Sequence, residues 1–296
     1  MADETTTTTL NDLFTNIVAQ ARFTAEEESL MLGLVTQYNI AGQSGKTVQI
    51  PKYGKLVAGA VAEATDLTNQ ATSTGTTNIT VSEIGAMVTL TDLALEGAGN
   101  PAQEVGTVLG NSIATKIDTD LMAHFKDEAL PQVGSVGAAL TVAHIFAAVA
   151  KLKENAARGQ MFGVLHPNQA YAIKAALTNS FVNGQSDVGN EALRSGYIGN
   201  LAGVQFYESS NVPVDYTDLG DDDAAGGTST AADTADQAAG CIFTAEGLAI
   251  AMKSTFNLET QRDASMRANE LVASAVYGST VLDDTFAVRL CSKKTL

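Results

Sequence analysis

Few side chains in this sequence are of types that could do chemistry. It has three histidines and two cysteines, at His124, His144, His166, Cys241 and Cys291. The cysteines are far apart and lack the spacing of a zinc site or redox pair, so we expect two buried free thiols. The histidines fall within a predicted helix, in a first helical turn, and just before a helix-starting proline, where structural roles are favoured.

Two runs of three carboxylates could attract a divalent cation. Asp221–Asp223 lacks the alternating spacing and distal glutamate of a calcium loop. Glu26–Glu28 suits the exposed start of a helix, where acidic groups meet the positive end of the helix dipole. The sequence has no nucleophile elbow, P-loop, His-Glu-x-x-His or dinucleotide-binding glycine motif. We therefore expect no catalytic residue, metal site or cofactor, and no enzyme.

The composition of the chain limits the classes of partner that we expect it to bind. A net charge of −16 argues against broad attraction to DNA or to anionic lipid, because both need clustered lysine and arginine. Much of the acidity lies in one segment, 214–239, which we expect to be a surface loop. We find no apolar run that could span a bilayer and no signal peptide, so we expect synthesis in the cytoplasm.

The elements that would position any site begin with an N-terminal arm, residues 1–45. One amphipathic helix is predicted from about Thr9, and a second from about Glu26 to Tyr38. Leu13 and Ile17 lie on the apolar stripe of the first helix. Because little core is nearby in sequence, we expect this stripe to dock elsewhere, including on another subunit.

An extended hairpin is predicted over 46–82. Strand-like Thr47–Tyr53 leads into a polar run, and the chain returns through Ile79–Val81. A connection this long is typically functional or disordered, so we expect a projecting arm. Three lysines, Lys46, Lys52 and Lys55, cluster at its base. They fit either intersubunit ion pairs or solubilising positions on an exposed hairpin, and both readings stay open.

A strand and a long helix follow. Residues Ile84 to Leu90 alternate in polarity, which predicts a strand with one face on a core. Asn100 and Pro101 open the strongest predicted helix, which runs to about Ala129 and measures about 40 Å. Its apolar stripe is Val105, Leu109, Ile113, Ile117, Leu121 and Phe125.

The pattern then becomes mixed α/β. We predict a helix capped by Thr141, an apolar strand at Met161–Leu165, and a helix from Pro167. Short apolar strands between helices favour a sheet that is covered on both faces. The segment Gly199–Pro213 predicts a glycine turn followed by a short inner strand of that sheet.

Strand patterns return near the C-terminus, at Phe256–Leu258, Leu271–Tyr277 and Phe286–Leu290. We expect them to share one sheet with the strand at 84–90, which would make the α/β segment an insertion. Contact between Val88 and the region of Val288 would test that topology.

In this order, the elements resemble the major capsid proteins of tailed bacteriophages, with the Hong Kong 97-like fold. The resemblance covers nearly the whole chain, and it rests most on Thr47–Pro51, Phe162–Tyr171, Gly199–Pro213 and the C-terminal strands from Val276 to Leu290. The implied class is α+β.

The resemblance also implies a division into domains. These are an N-terminal arm (1–45), an extended E-loop (46–82), a peripheral domain with the spine helix (83–132 and 255–296), and an inserted α/β axial domain (133–254) that carries the acidic loop 214–239.

The resemblance implies a structural role. Such subunits form pentamers and hexamers that build an icosahedral shell around double-stranded DNA, without sequence-specific contacts or a membrane. Possible intersubunit contacts are Lys46, Lys52, Lys55, Leu13 and Ile17. The chain has no long N-terminal assembly domain, so a separate scaffolding protein is implied, together with a portal protein. An encapsulin-like protein-cargo shell and an acidic bacterial surface or adhesion protein remain alternatives.

Overall fold

The computed structural model describes residues 29–54, 56, 58–61, 66, 69, 71–93, 101–180, 200–214 and 237–295. The predicted helix from Thr9, the cap at Asn100 and the acidic residues 215–236 lie outside these ranges. The described part is built from a four-stranded sheet, a six-stranded sheet and a separate two-stranded hairpin.

The four-stranded sheet joins distant parts of the chain in the order β1-β10-β11-β4. Its strands are β1 (Thr36–Asn39), β4 (Ser82–Thr91), β10 (Leu248–Asp263) and β11 (Ala268–Val281). Val88 of β4 lies opposite Leu271 of β11 in an antiparallel ladder. The alternating strand expected at 84–90 is therefore confirmed, with one face on the core.

The six-stranded sheet has the order β5-β12-β9-β6-β8-β7. Its strands are β5 (Gln132–Gly134), β6 (Met161–Leu165), β7 (Asn200–Leu201), β8 (Val204–Glu208), β9 (Gln237–Thr244) and β12 (Ala287–Lys293). Ala202 and Gly203, at φ of 57° and 84°, form the two-residue turn between β7 and β8. β8 has a neighbour on each side, as predicted for an inner strand.

The long helix α1 runs from Pro101 to Met122, and a 3-10 turn extends it to Lys126. Its 22 residues give a rod of about 33 Å, shorter than predicted. The predicted stripe is buried: Leu109, Ile113, Ile117, Leu121 and Phe125 are each at most 3% exposed. This stripe packs on the inner face of the four-stranded sheet, which includes Leu271 and Tyr277.

Both faces of the six-stranded sheet are covered, as predicted. Residues on one face, including Val164 and Phe243, join the core under α1, where the Phe243 and Phe125 rings lie 5.9 Å apart. Residues on the other face, including Leu165 and Ile242, pack beneath α2 (Val142–Glu154) and α3 (Pro167–Ser180). Thr141 caps α2 as expected.

Two predictions about secondary structure and pairing are wrong. Residues 31–33 form a 3-10 turn and Thr36–Asn39 form a strand, where a helix was expected to run to Tyr38. The free edge of β10 accepts this segment as a parallel strand, and that pairing overrides local helix propensity. The strand at 287–293 pairs with β9 and β5 in the six-stranded sheet, so Val88 does not pair with the Val288 region.

Candidate intersubunit surfaces

The hairpin formed by β2 (Thr47–Tyr53) and β3 (Thr74–Thr80) extends from the body. Its seven residue pairs run in antiparallel register from Thr47–Thr80 to Tyr53–Thr74. In the part of the chain that the structure describes, these strands pair only with each other. The side chains of Tyr53 and Leu56 are 70% and 59% exposed. The projecting hairpin predicted from the sequence is thus present in its described strands.

A small apolar cluster attaches the base of the hairpin to the body. Its buried members are Ile40, Ile79, Val81, Ala249 and Ala251. The attachment is close because the Thr80 carbonyl passes directly over Gly278 of β11, where any side chain would overlap it. Glycine at 278 therefore permits this crossing of hairpin and sheet.

Lys52 makes a second attachment, within the same chain. Its Nζ lies 2.9 Å from Asp283 Oδ1 and 3.9 Å from Asp284 Oδ1. Asp283 also accepts hydrogen bonds from the amide and the hydroxyl of Thr285. Burial opposes ionisation of Asp283, but the bonds from Lys52 and Thr285 outweigh it and hold its pKa below the usual value.

Lys46, another predicted contact residue, lies at the base of the hairpin. The Lys46 carbonyl accepts a hydrogen bond from the Val81 amide at 2.8 Å, which closes the hairpin base, and Lys46 itself is exposed. Lys55, Leu13 and Ile17 lie outside the described residues.

An open groove runs between α1 and the edge strand β4. Its volume is about 730 Å³, and its walls include Ile84, Gly85, Val108 and Lys116. Val108 on the helix is 61% exposed. The outer surface of the long helix is thus available to a neighbour, while its inner stripe serves the core.

Asp118 ties the N-terminal segment to α1, a role that the sequence analysis missed. Oδ1 accepts hydrogen bonds from Ser29 Oγ at 2.8 Å and from the Met31 amide at 3.1 Å. Oδ2 accepts one from the Leu30 amide at 3.0 Å. Asp118 is 3% exposed, and burial raises its pKa although the three hydrogen bonds oppose that rise. The signal in the sequence that could have indicated this role is a carboxylate beside the apolar stripe of the helix.

Polar bonds also join α1 to β11. The Tyr277 hydroxyl donates to Asp120 Oδ2 at 2.7 Å, and His124 Nε2 lies 2.9 Å from Ser279 Oγ. Burial lowers the pKa of His124, so its neutral form is favoured. Burial raises the pKa of Tyr277, because the charged form of this side chain is an anion. The hydrogen bond to Asp120 raises that pKa further.

The remaining histidines have structural partners, whereas Glu26–Glu28 and Asp221–Asp223 lie outside the described residues. His144 completes a capping box with Thr141 at the start of α2. His166 Nδ1 accepts a hydrogen bond from the Asn168 amide at 3.3 Å. Cys241 and Cys291 are buried, as predicted, and the Cys291 thiol donates a hydrogen bond to Gln237 Oε1 at 3.9 Å.

Neither a metal cluster nor a membrane helix is found in the described ranges. No three histidine, cysteine, aspartate or glutamate side chains there are grouped so that they could hold a metal ion. No described helix has the length and apolar character needed to cross a bilayer.

The mixed fold, with a long helix on one sheet and a second sheet covered on both faces, matches solved structures of phage capsids. The same fold occurs in the capsid of Cyanophage P-SCSP1u, at a TM-score of 0.68 and 18% identity over 90% of this chain and 89% of that one. It also occurs in the head of Helicobacter pylori bacteriophage KHP40, at a TM-score of 0.68 and 13% identity, over 89% of this chain and 91% of that one. A virus-like particle from Pyrococcus furiosus is also similar, at a TM-score of 0.61 and 9% identity, over 94% of this chain and 98% of that one.

Sequence comparison identifies the family. The model of the phage capsid protein family matches residues 73–290, which is more than half of the chain. The chain therefore belongs to the phage capsid protein family, and its role is that of a structural major capsid protein of the virion. No curated protein matches it in sequence.

Proposed function

We propose that this chain assembles as pentamers and hexamers into an icosahedral shell that encloses phage double-stranded DNA. The observation that carries this proposal is the hairpin of β2 and β3, which projects with free edges among the described residues. Exposed edges invite pairing or covering by another chain. A subunit that repeats such contacts around closed symmetry axes forms a shell from many weak interactions.

The proposed domains follow from this role. The hairpin belongs to an E-loop at 46–82, after an N-terminal arm at 1–45. Helix α1 is the spine helix of a peripheral domain, 83–132 and 255–296, and residues 133–254 form the axial domain with the acidic loop 214–239. Strand β12 lies within 255–296 but pairs with β9 in the six-stranded sheet, so the proposed peripheral domain contributes one strand to the sheet of the proposed axial domain.

The proposed partners are other copies, a separate scaffolding protein, a portal protein and packaged DNA. The net charge of −16 fits a shell that tolerates DNA without gripping it. We propose synthesis in the host cytoplasm and no enzymatic activity. Family membership favours the capsid role over a protein-cargo shell or a bacterial surface protein.

Electron microscopy tests the proposal directly. The full chain, coexpressed with the candidate scaffolding protein of its genome, should form closed particles of uniform size. In the matched variant, a two-residue Asn-Gly turn replaces 54–73 and joins Tyr53 to Thr74. This variant should keep its circular dichroism spectrum and its thermal transition but fail to form shells, because the projecting part is lost.

The proposal would be overturned by a wild-type chain that stays monomeric or forms filaments under every assembly condition. A shortened variant that builds shells as well as the wild type would show instead that segment 54–73 is not needed for assembly. Nuclease treatment of particles from infected cells then separates the alternatives, since a phage capsid protects DNA and a cargo shell protects protein.

A further inference from the structure

Next to the apolar base, against which Ile50 and Leu282 also pack, an open cleft of about 450 Å³ lies between the hairpin and the body. Ile50 and Pro51 of β2 line one side, and Leu282 and Phe286 of the body line the other. The hairpin therefore has room to change its angle relative to the four-stranded sheet.

Lys52 bridges this cleft. It reaches Asp283 at 2.9 Å, and it makes every ion pair between hairpin and body in the described part of the chain. The acceptor is held in place because Asp283 caps a 3-10 turn through Thr285. The lysine end is adjustable, since the Lys52 side chain is 49% exposed and that of Asp283 is 17% exposed.

The two attachments differ in physical character. The base cluster around Ile79 and Val81 is held by apolar burial, which has no preferred direction and tolerates rotation. An ion pair requires its two groups to meet at one distance, and a pair this exposed is weak enough to open and close. The apolar base therefore acts as a pivot, and the ion pair selects the angle at which the hairpin leaves the body.

We propose that the Lys52–Asp283 ion pair is a releasable lock that sets the angle at which the hairpin leaves the body. When the pair is closed, the hairpin is held across the cleft. When the pair opens, the hairpin turns about its apolar base.

The lock is inferred from contacts within one chain. Its role in assembly rests on the proposed function of the chain in a shell. Neighbours meet at about 72° around a five-fold axis and about 60° around a six-fold axis, so identical chains must present their projecting parts at more than one angle. A lock that opens at low cost allows one chain to serve both environments.

The test measures the hairpin angle in unassembled full-length chain. Nitroxide labels are placed at Thr76→Cys on the exposed side of β3 and at Lys153→Cys on α2, while the native cysteines are buried. Pulsed electron spin resonance gives the distance distribution between the labels. Lys52→Gln should shift or broaden it beyond the spread between repeated wild-type measurements, because the hairpin is no longer held across the cleft. Lys52→Arg should restore the wild-type distribution, and Asp283→Asn should reproduce the Gln result.

A matched control removes a different exposed ion pair. Lys116→Gln breaks the 2.6 Å contact with Asp120 on α1, where the lysine is 52% exposed, and it should leave the distribution unchanged. An unchanged distribution in both Lys52→Gln and Asp283→Asn would overturn the lock, as would an equal change in Lys116→Gln. Because these measurements use unassembled chain, failure of the lock is distinct from failure to form shells in the microscope.

Discussion

Removal of the Asp118 carboxylate should release the segment 29–31 from the long helix while the two sheets stay folded. Three donors converge on this side chain: the Ser29 hydroxyl and the amides of Leu30 and Met31. In Asp118→Ala all three lose their acceptor. In Asp118→Asn one oxygen remains, and it should occupy the Oδ1 position because two of the three donors meet there. The new amide group would then face the Leu30 amide, donor against donor.

The expected magnitudes follow from these partners. A hydrogen bond to a charged group contributes about 1.5–3 kcal/mol net. Water can reach a three-residue segment once it opens, so we expect Asp118→Ala to cost about 3 kcal/mol of local stability rather than the full sum. That corresponds to about 100-fold faster exchange of the Leu30 and Met31 amides. For Asp118→Asn we expect about 10-fold, concentrated at Leu30.

Hydrogen exchange read by mass spectrometry, with fragmentation that resolves single amides, measures these ratios. The Leu165 amide in β6 serves as the internal reference and should not change, because Leu165 packs beneath α2 and α3 and not in the core that contains Met31. The reasoning would be refuted if the Leu30 and Met31 amides exchanged at wild-type rates in Asp118→Ala. It would also be refuted if Asn and Ala gave the same uniform increase, since the oxygen-by-oxygen assignment predicts a graded one.

Two further predictions test the hairpin base and the junction of helix and sheet. Gly278→Ala places a methyl group against the Thr80 carbonyl, so we expect overpacking to destabilise the fold by about 1–3 kcal/mol and to prevent shell formation. The control is Gly75→Ala on the hairpin, where the added methyl group meets nothing within 4 Å. Calorimetry and electron microscopy compare the two variants. Burial lowers the pKa of His124, so its contribution to stability is present above the unfolded value of about 6.5 and is lost as pH falls through that value toward the folded pKa. Wild type should therefore lose more stability than His124→Gln between pH 7.5 and 5 in urea unfolding, by about 1.4 kcal/mol for each tenfold difference in proton affinity between the folded and unfolded chain; parallel pH profiles would contradict this.

Local patterns predicted the elements that depend mainly on one buried face. The stripe from Val105 to Phe125 repeats every three to four residues, and it predicted both the helix and the face that packs on the sheet. Alternation at 84–90 predicted strand β4 in the same way. Both patterns are read within a single element, because burial of one face imposes its period on the sequence.

The contacts that Lys52 and Asp118 make were only partly predictable from the sequence. Lysines at the hairpin base were noticed, but their charge does not reveal a partner more than two hundred residues away, as Lys52 has in Asp283. Asp283 had a local signal, since an aspartate two residues before Thr285 is typical of a turn cap. Asp118 had a weaker one, a carboxylate next to Ile117 of the buried helix stripe.

The sequence by itself determined the order of the elements, the inner faces of α1 and β4, and the resemblance to phage capsid proteins. Tertiary structure alone decided which sheet each strand joins: β12 pairs with β9 rather than β4, and Thr36–Asn39 pairs with β10 as a strand. The physical reason is that periodicity records whether a residue is buried, whereas pairing depends on which backbone edge is free nearby. That edge is created by segments distant in sequence, and it exists only once the chain has folded.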